Sequence, residues 1–188
     1  MDLTTIIKER RSVKRFEDRE ISPGLVKELL DIAVWAPNHR LTEPWRFILI
    51  HGEGRVKLAE TVREFRERKE PDPSKKKAEG EKVYNKLMSN PMFLMVVMKE
   101  DPNLVTREED FAATCCLIQN FSLLAWEQGI GMTWHSYGWL QDELVRESLG
   151  IQPGERAIAN LHMGYTAMLP KPQQRKPAAE LLTVIDHQ

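Results

Sequence analysis

A cluster of basic residues near the amino terminus is the first stretch of this sequence that could bind a ligand. Five of the residues from Lys8 to Arg15 are basic, and Glu9 is the only acid among them. Arginine donors beside a serine hydroxyl, as in Arg10-Arg11-Ser12, suit a phosphate group, which accepts forked charge-assisted hydrogen bonds. The same residues also fit a solvated helix end, because cations are stabilised at a helix C-terminus. Both interpretations stay open on composition alone.

A second stretch with chemical potential is WAPNHRLTEPWRF, residues 35–47. Pro37 and Pro44 fix the backbone and disfavour helix just before each of them, so the stretch is predicted to be a held loop. A held loop that carries histidine, asparagine and tryptophan is where a ligand would be contacted. Of its aromatic residues, Trp45 and Phe47 are predicted to pack where the loop enters the sheet, and His39 would need a partner if buried.

Several other chemistries lack support. The five histidines show no HExxH or paired-ligand spacing, so a zinc site is not predicted. The sequence has no GxxxxGK[ST], no GxGxxG after a strand and no GxSxG elbow, and no local signature supports Ser-His-Asp catalysis. His162 lies in an apolar strand pattern and is predicted to be a satisfied core residue. His51, beside a glycine turn, is predicted to face solvent.

The composition bounds the class of protein. A chain of 188 residues with 41% apolar residues suits a single domain over 1–188, or one protomer of an intertwined dimer. Its formal net charge of -1 argues against nucleic acid or an anionic membrane as the main partner. Cys115 and Cys116 are adjacent in an apolar helical run, so they are expected to be reduced core residues. With no signal-peptide pattern and no long apolar run, a cytoplasmic location is expected.

Hydrophobic periodicity and capping signals predict the elements that must position these residues. The first half is predicted to hold a short helix capped by Asp2 or Thr4, a helix from Ser22-Pro23 to Ala36, a strand over 47–50, a helix around 58–65 and a mobile or solvated connection over 66–82. The second half is predicted to hold a strand over 91–98 that is covered on both faces, a helix over 111–128 preceded by a capping box at 106–109, a strand over 131–137, a helix over 140–149 and a strand over 157–163. The apolar 181–185 segment of the tail could reach a neighbouring subunit.

These features together resemble the FMN-dependent nitroreductase family. The resemblance rests on Arg10-Arg11-Ser12 followed by Lys14 and Phe16, on the AP-x-H-x-x-x-x-PW loop that leads into a strand, and on a late Arg-x-Pro in the tail. It is strongest to the minimal-length bacterial members, which keep APxH. The resemblance implies an α+β fold with a central, mostly antiparallel sheet flanked by helices, in an intertwined homodimer with one FMN at each end of the shared interface.

The resemblance also implies roles for particular residues. Arg10, Arg11, Ser12 and Arg175 match residues around the FMN phosphate and ribityl chain. The other matched positions surround the ring: Lys14 near the N1/O2 edge, Trp35 and His39 on the loop that meets the partner subunit's flavin, Asn85 on the pyrimidine side, and Trp134, His135 and Ser136 along the strand end near N5.

The implied activity is an NAD(P)H-dependent oxidoreductase that reduces nitroaromatics, quinones or similar acceptors by a ping-pong mechanism. FMN already carries the redox chemistry, so no side chain is expected to act as an essential acid, base or nucleophile. Two alternatives stay open: a flavin- or nucleotide-binding protein without turnover, and an enzyme of the same fold with different chemistry, such as reductive dehalogenation or flavin breakdown.

Overall fold

The structure is a computed structural model, and it describes residues 2–186. Its helices and strands, in chain order, are α1 (Leu3–Glu9), α2 (Pro23–Ala33), β1 (Trp45–Ile50), α3 (Glu53–Lys69), α4 (Lys76–Met88), β2 (Met92–Lys99), α5 (Leu104–Glu127), β3 (Ile130–His135), α6 (Glu143–Ser148) and β4 (Glu155–Tyr165). Short 3-10 turns occur at His39–Leu41, Gly138–Gln141 and Ala178–Glu180.

The four strands form one sheet in the order β1-β2-β4-β3, and each neighbouring pair is antiparallel. The segment after α1 adds to the free edge of β3, where Ser12 pairs with Met132 in a parallel bridge. The predicted α+β class with a mostly antiparallel sheet is therefore confirmed. This edge pairing also brings the basic cluster beside the end of β3.

Helices cover both faces of the sheet. Strand β2 shows this most clearly, because every residue from Met92 to Met98 is buried. Phe93 and its alternate neighbours enter the core under α3, whereas Leu94 and its alternate neighbours enter the core under α2 and α5. In a strand that is buried on both faces, the side chains on each face are apolar, which explains the continuous apolar run of β2. Truncating such a side chain typically costs about 3–5 kcal/mol for Phe→Ala.

The capping signal was correct at one helix, correct only in its proline at a second, and wrong at a third. Asp2 caps α1 by accepting a hydrogen bond from the Thr5 backbone N–H at 3.1 Å. Helix α2 begins at Pro23 as predicted, although the Ser22 side chain makes no capping bond and the helix ends at Ala33. The predicted capping box at 106–109 is wrong, because Asn103 caps α5 and the helix begins at Leu104. An asparagine side chain accepts hydrogen bonds from the unpaired N–H groups of the first helical turn as a threonine side chain would. The helix can therefore begin after Asn103, before the predicted cap is reached.

The predicted mobile connection over 66–82 is mostly helical, which corrects that expectation. Helix α3 continues to Lys69 and α4 begins at Lys76, so only a short turn joins them. The Arg66 side chain donates hydrogen bonds to Glu70 at 2.9 Å and to Glu79 at 3.0 Å. The mixed charges that read as a solvated linker instead pair between two neighbouring helices.

The tail after β4 makes little contact with the rest of the chain. Residues 171–186 are all exposed, and Ile185 keeps 87% of its surface accessible. Within residues 2–186, no helix combines the length and apolar character that a bilayer crossing requires.

Candidate functional site

The segment after α1 is held against β3 by its backbone. The Val13 N–H donates to the Met132 carbonyl at 3.0 Å, and the Thr133 hydroxyl donates to the Val13 carbonyl. Val13 is buried, whereas its neighbours Ser12 and Lys14 are exposed. Gly131 permits this close approach, because a Cβ there would lie 2.5 Å from Val13 Cγ2. The sequence therefore fixes the backbone and turns the polar side chains of this segment outward.

Three arginines from opposite ends of the chain lie together at this edge. Burial lowers the pKa of Arg10, and the nearby charges of Arg11 and Arg175 lower it further. Arg11 donates to the carbonyl oxygens of Lys8 and Arg10, and Arg175 donates to that of Gln173 at 3.1 Å. Within residues 2–186, none of the three arginines pairs with a carboxylate. Clustered cations without a carboxylate partner, with a serine hydroxyl on the same segment, form a candidate anion site.

A small cavity opens beside Arg10. Its volume is about 170 Å³, and its lining combines Arg10 and Ser12 with side chains of α5, β3 and β4, namely Cys115, Ile118, Gln119, Ser122, Met132, Trp134 and Leu161. Ligand sites for molecules of cofactor size usually occupy about 300–1,000 Å³. This cavity alone therefore offers only part of the volume that a flavin would need.

The last residues of β3 point to alternate faces of the sheet. Trp134 lines the cavity, and its ring N–H donates to the Ser136 hydroxyl at 3.2 Å. His135 lies on the opposite face, where its ring stacks on Tyr137 with centroids 4.6 Å apart and planes 9° apart. Burial lowers the pKa of His135, and the charges of Lys86 and then Lys14 lower it further. Lys14 is therefore close enough to His135 for its charge to act on that ring.

Helix α4 contributes a cation that the sequence reading missed. The Lys86 ammonium lies 5.5 Å from the centroid of the Tyr137 ring and, within residues 2–186, has no carboxylate partner. Asn85, the residue chosen from the resemblance, is exposed, and its side chain makes no hydrogen bond within the described residues. Nothing in the local sequence distinguishes Lys86 from the other lysines of α4, because only the helix packing turns it toward Tyr137.

Below His135 lies a buried polar network centred on His162. Asn90 donates its amide hydrogens to the carbonyls of Lys86 and Leu87, so its side-chain oxygen accepts from His162 Nδ1 at 3.1 Å. His162 Nε2 then accepts from Asn160 at 3.2 Å. Burial, followed by the influence of His135 and Lys86, lowers the pKa of His162 to about 3. The prediction that His162 is a satisfied core residue is confirmed.

The loop residues lie apart from this cluster. Trp35 keeps 86% of its surface exposed, and His39 Nδ1 lies 2.8 Å from Glu109 Oε2 of α5. Trp45 and Phe47 pack against the core under α2 and α5, which confirms their predicted role. His39 therefore borders a groove against α5 that is separate from the cavity beside Arg10.

The cysteine and remaining histidine predictions have mixed outcomes. His51 is exposed as predicted. Both cysteines are free thiols, but Cys116 is exposed and Cys115 only half-buried, so the prediction of two core residues is wrong. Cys115 lines the cavity beside Arg10, and Cys116 borders the groove at His39. No cluster of residues suited to a metal ion occurs within residues 2–186.

The donor set fits the two parts of FMN. A phosphomonoester needs several charge-assisted donors, and the arginine cluster with Ser12 supplies them. A flat aromatic ring needs apolar and aromatic surface with a few polar groups, and the end of β3 offers Trp134 and His135 beside Lys14. The residues present are therefore compatible with this cofactor.

Comparison with known proteins agrees with this geometry. The model of the nitroreductase family matches residues 7–165. The Bacillus subtilis protein named "Putative NAD(P)H nitroreductase YfhC" is 41% identical over 182 residues, which cover 96% of this chain and 93% of that protein.

Solved structures show the same fold. A nitroreductase-like family protein from Bacillus cereus is 39% identical, with a TM-score of 0.89 over 100% of this chain and 97% of that one. A nitroreductase homologue from Desulfovibrio desulfuricans, solved in complex with FMN, is 21% identical with a TM-score of 0.74 over 100% and 99% of the two chains. The nitroreductase-like fold predicted above is confirmed.

Proposed function

This chain belongs to the nitroreductase family, and from that membership we propose that it is an FMN-dependent oxidoreductase that uses NAD(P)H to reduce nitroaromatic, quinone or similar acceptors. The two substrates would use one slot in turn, in a ping-pong sequence. NAD(P)H gives up its electrons and leaves, and the acceptor then enters.

The convergence of Arg10, Arg11 and Arg175 is the observation that carries this proposal. Burial first, and then the charges of Arg11 and Arg175, lower the pKa of Arg10, and a dianionic phosphate among the three would offset that repulsion. Each charge-assisted hydrogen bond to such a group typically contributes about 1.5–3 kcal/mol. Ser12 adds a neutral donor on the same segment, so this chain's own residues would hold the phosphate end of FMN.

The end of β3 would hold the ring end. When bound, FMN supplies hydride chemistry that no side chain can. Lys14 and Lys86 provide positive charge around His135, and positive charge stabilises the negative charge that reduction places on a flavin ring. Trp134 would cover one side of the ring, and backbone groups of residues 134–136 would lie along its edge.

A homodimer would complete the site. The exposed apolar side chains include Ile32, Trp35, Leu41, Leu181, Leu182, Val184 and Ile185, and they group on α2, on the loop after it and on the tail. Apolar surface of this extent on a folded protomer marks an interaction site. Trp35, which is largely exposed, and His39 would then cover the partner's flavin.

A visible spectrum of the purified protein tests the proposal first. The expected result is a yellow protein that NADH or NADPH bleaches and that a nitroaromatic or quinone recolours. Colourless protein that gains no flavin spectrum with added FMN would overturn the proposal. Yellow protein that neither nicotinamide bleaches would instead indicate flavin binding without turnover.

A further inference from the structure

A second pocket lies at the end of the sheet where β1 ends and β2 begins. Its volume is about 400 Å³, within the range of about 300–1,000 Å³ that small-molecule sites usually occupy. Three segments form it: residues 16–23 before α2, the turn at 51–55 that starts α3, and the turn at 88–92 before β2. This end pocket shares no lining residue with the cavity beside Arg10, so the two are separate sites.

The floor of the end pocket is apolar. Ile21 and Met92 are buried at its base, and Phe16 and Met88 are half-buried beside them. Apolar surface that a ligand covers is removed from water, and this favours binding of a hydrocarbon or aromatic group. The floor therefore selects a ligand with an apolar body.

One wall of the end pocket carries a fixed cation. Arg55 Nη1 donates to the Asn90 carbonyl at 2.9 Å, and Arg55 Nε donates to the Gly52 carbonyl at 3.4 Å, so the guanidinium ties two turns together. Within residues 2–186, Arg55 Nη2 makes no hydrogen bond and no carboxylate pairs with this arginine. A guanidinium that is held in place and keeps free donors suits a carboxylate.

The facing wall is acidic. Glu17, Asp18 and Glu20 line the pocket, are exposed, and form no ion pair among the residues that the structure describes. Arg19 lies between them in the sequence, but its guanidinium covers the Tyr165 ring at 3.7 Å from the centroid. The end pocket therefore has a positive side and a negative side that do not neutralise each other.

We infer that the end pocket binds a small zwitterion with an apolar body, such as an amino acid with an aromatic or aliphatic side chain. The carboxylate of the ligand pairs with Arg55, its ammonium faces Glu17, Asp18 and Glu20, and its side chain covers Met92. A simple anion would meet three acids, and a simple cation would meet Arg55, so neither matches both walls. This site goes beyond the proposed function, because it uses none of the residues assigned to FMN.

Methyl NMR of the full-length protein, carrying carbon-13 in its methionine methyl groups, tests where the ligand binds. Met88 and Met92 line the end pocket, whereas Met132 lines the cavity beside Arg10. Millimolar L-phenylalanine should shift the Met88 and Met92 signals saturably and leave the Met132 signal in place, both with and without FMN. No saturable shift, or a shift at Met132 that FMN abolishes, would overturn the inference.

Two analogues test whether the ligand must carry both charges. Phenethylamine lacks the carboxylate and should bind about tenfold more weakly than L-phenylalanine, because a charge-assisted hydrogen bond to Arg55 is lost. Phenylpropionate lacks the ammonium and should bind about two- to fivefold more weakly, because exposed ion pairs contribute less. Equal affinity of L-phenylalanine and either analogue would contradict a zwitterion site.

Substitution of Arg55 tests the positive wall. Arg55→Gln should weaken L-phenylalanine binding about tenfold and leave phenethylamine binding unchanged. Lys57→Gln is the matched control, because it removes a neighbouring cation of α3 that does not line the end pocket. Equal L-phenylalanine affinity of Arg55→Gln and the wild type would remove Arg55 from the site.

Substitution of the acids tests the other wall and does not depend on the turns that Arg55 joins. The triple variant Glu17→Gln, Asp18→Asn, Glu20→Gln changes only exposed side chains, so it should fold as the wild type does. It should bind L-phenylalanine more weakly and phenylpropionate more tightly. If both affinities stay as in the wild type, the acids do not face the ligand and the inference fails.

Discussion

The two sides of the candidate site differ in how completely one chain builds them. On the inner side, Val13 and Thr133 pin the basic segment to β3, and a network around His162 supports His135 from below. On the outer side, Trp35 and the tail are exposed. The loop after Trp35 has positive φ values at Arg40, Leu41 and Glu43. This contrast supports the proposal that one chain builds the phosphate side of the site by itself, whereas a second copy would be needed to enclose the ring.

Truncating the tail should give the largest effect, because it removes both the tail arginine and the apolar surface. A chain that ends at Pro170 is expected to sediment as a monomer and to bind FMN at least about a hundredfold more weakly, from a lost charge-assisted contact together with lost enclosure. Sedimentation and flavin fluorescence titration measure the two results.

A chain that ends at Glu180 separates the two causes. It keeps Arg175 and loses Leu181, Leu182, Val184 and Ile185, so its dimer should weaken while the phosphate contact remains. A full-length monomer that holds FMN tightly would contradict the division into two sides.

Removing Arg175 alone should affect only the phosphate side. Arg175→Ala is expected to weaken FMN binding about tenfold or more, because one charge-assisted hydrogen bond is worth about 1.5–3 kcal/mol. Lys171→Ala, which removes another tail cation, is the control and should bind FMN as the wild type does. Unchanged FMN retention in Arg175→Ala would remove Arg175 from the site.

Adding a side chain at Gly131 should displace the basic segment from β3 and destabilise the protein. In Gly131→Ala the new methyl group would lie 2.5 Å from Val13 Cγ2 and 2.6 Å from Thr166 Oγ1, so the basic segment must shift. Overpacking of this kind typically lowers the free energy of unfolding by about 1–3 kcal/mol.

Gly54→Ala is the matched control for Gly131→Ala. Its methyl group would make an ordinary contact of 3.5 Å with Ile50, so denaturant unfolding should show no loss. Equal stability of both variants would show that the segment is not held tightly against β3.

The His162 network predicts a specific pH dependence of stability. Because folding depresses the pKa of His162 from 6.5 to about 3, the unfolded chain binds one more proton between these values. The contribution to unfolding free energy is therefore fully present above about pH 6.5 and falls by up to about 1.4 kcal/mol per pH unit below it. His162→Gln should flatten this slope in denaturant unfolding, and equal slopes in the two proteins would contradict a buried neutral ring.

Features that depend on residues close together in the sequence could be predicted from the sequence. The apolar run of β2, the proline-started helix α2 and the His162 core position followed from periodicity and capping alone. The capping box before α5 failed because Asn103 offered an equivalent cap upstream. The 66–82 segment was misread because its charges pair between α3 and α4, and such pairing is invisible before the two helices are known to be neighbours.

The candidate site divides in the same way. Arg10, Arg11 and Ser12 are consecutive in the chain, so the sequence alone could suggest an anion site there. Their proximity to Arg175 follows from the resemblance, since no rule of local structure brings residue 175 to residue 10. Lys86 and Glu109 were missed because only helix packing turns their side chains toward Tyr137 and His39.

Parallel titrations with FMN and riboflavin test the central claim most directly, because the two ligands differ only in the phosphate. The wild type should bind FMN at least about a hundredfold more tightly than riboflavin, and the double variant Arg10→Ala, Arg175→Ala should lose most of that preference. Equal affinities of the wild type for the two flavins would contradict the claim that arginines from both ends of the chain bind one phosphate.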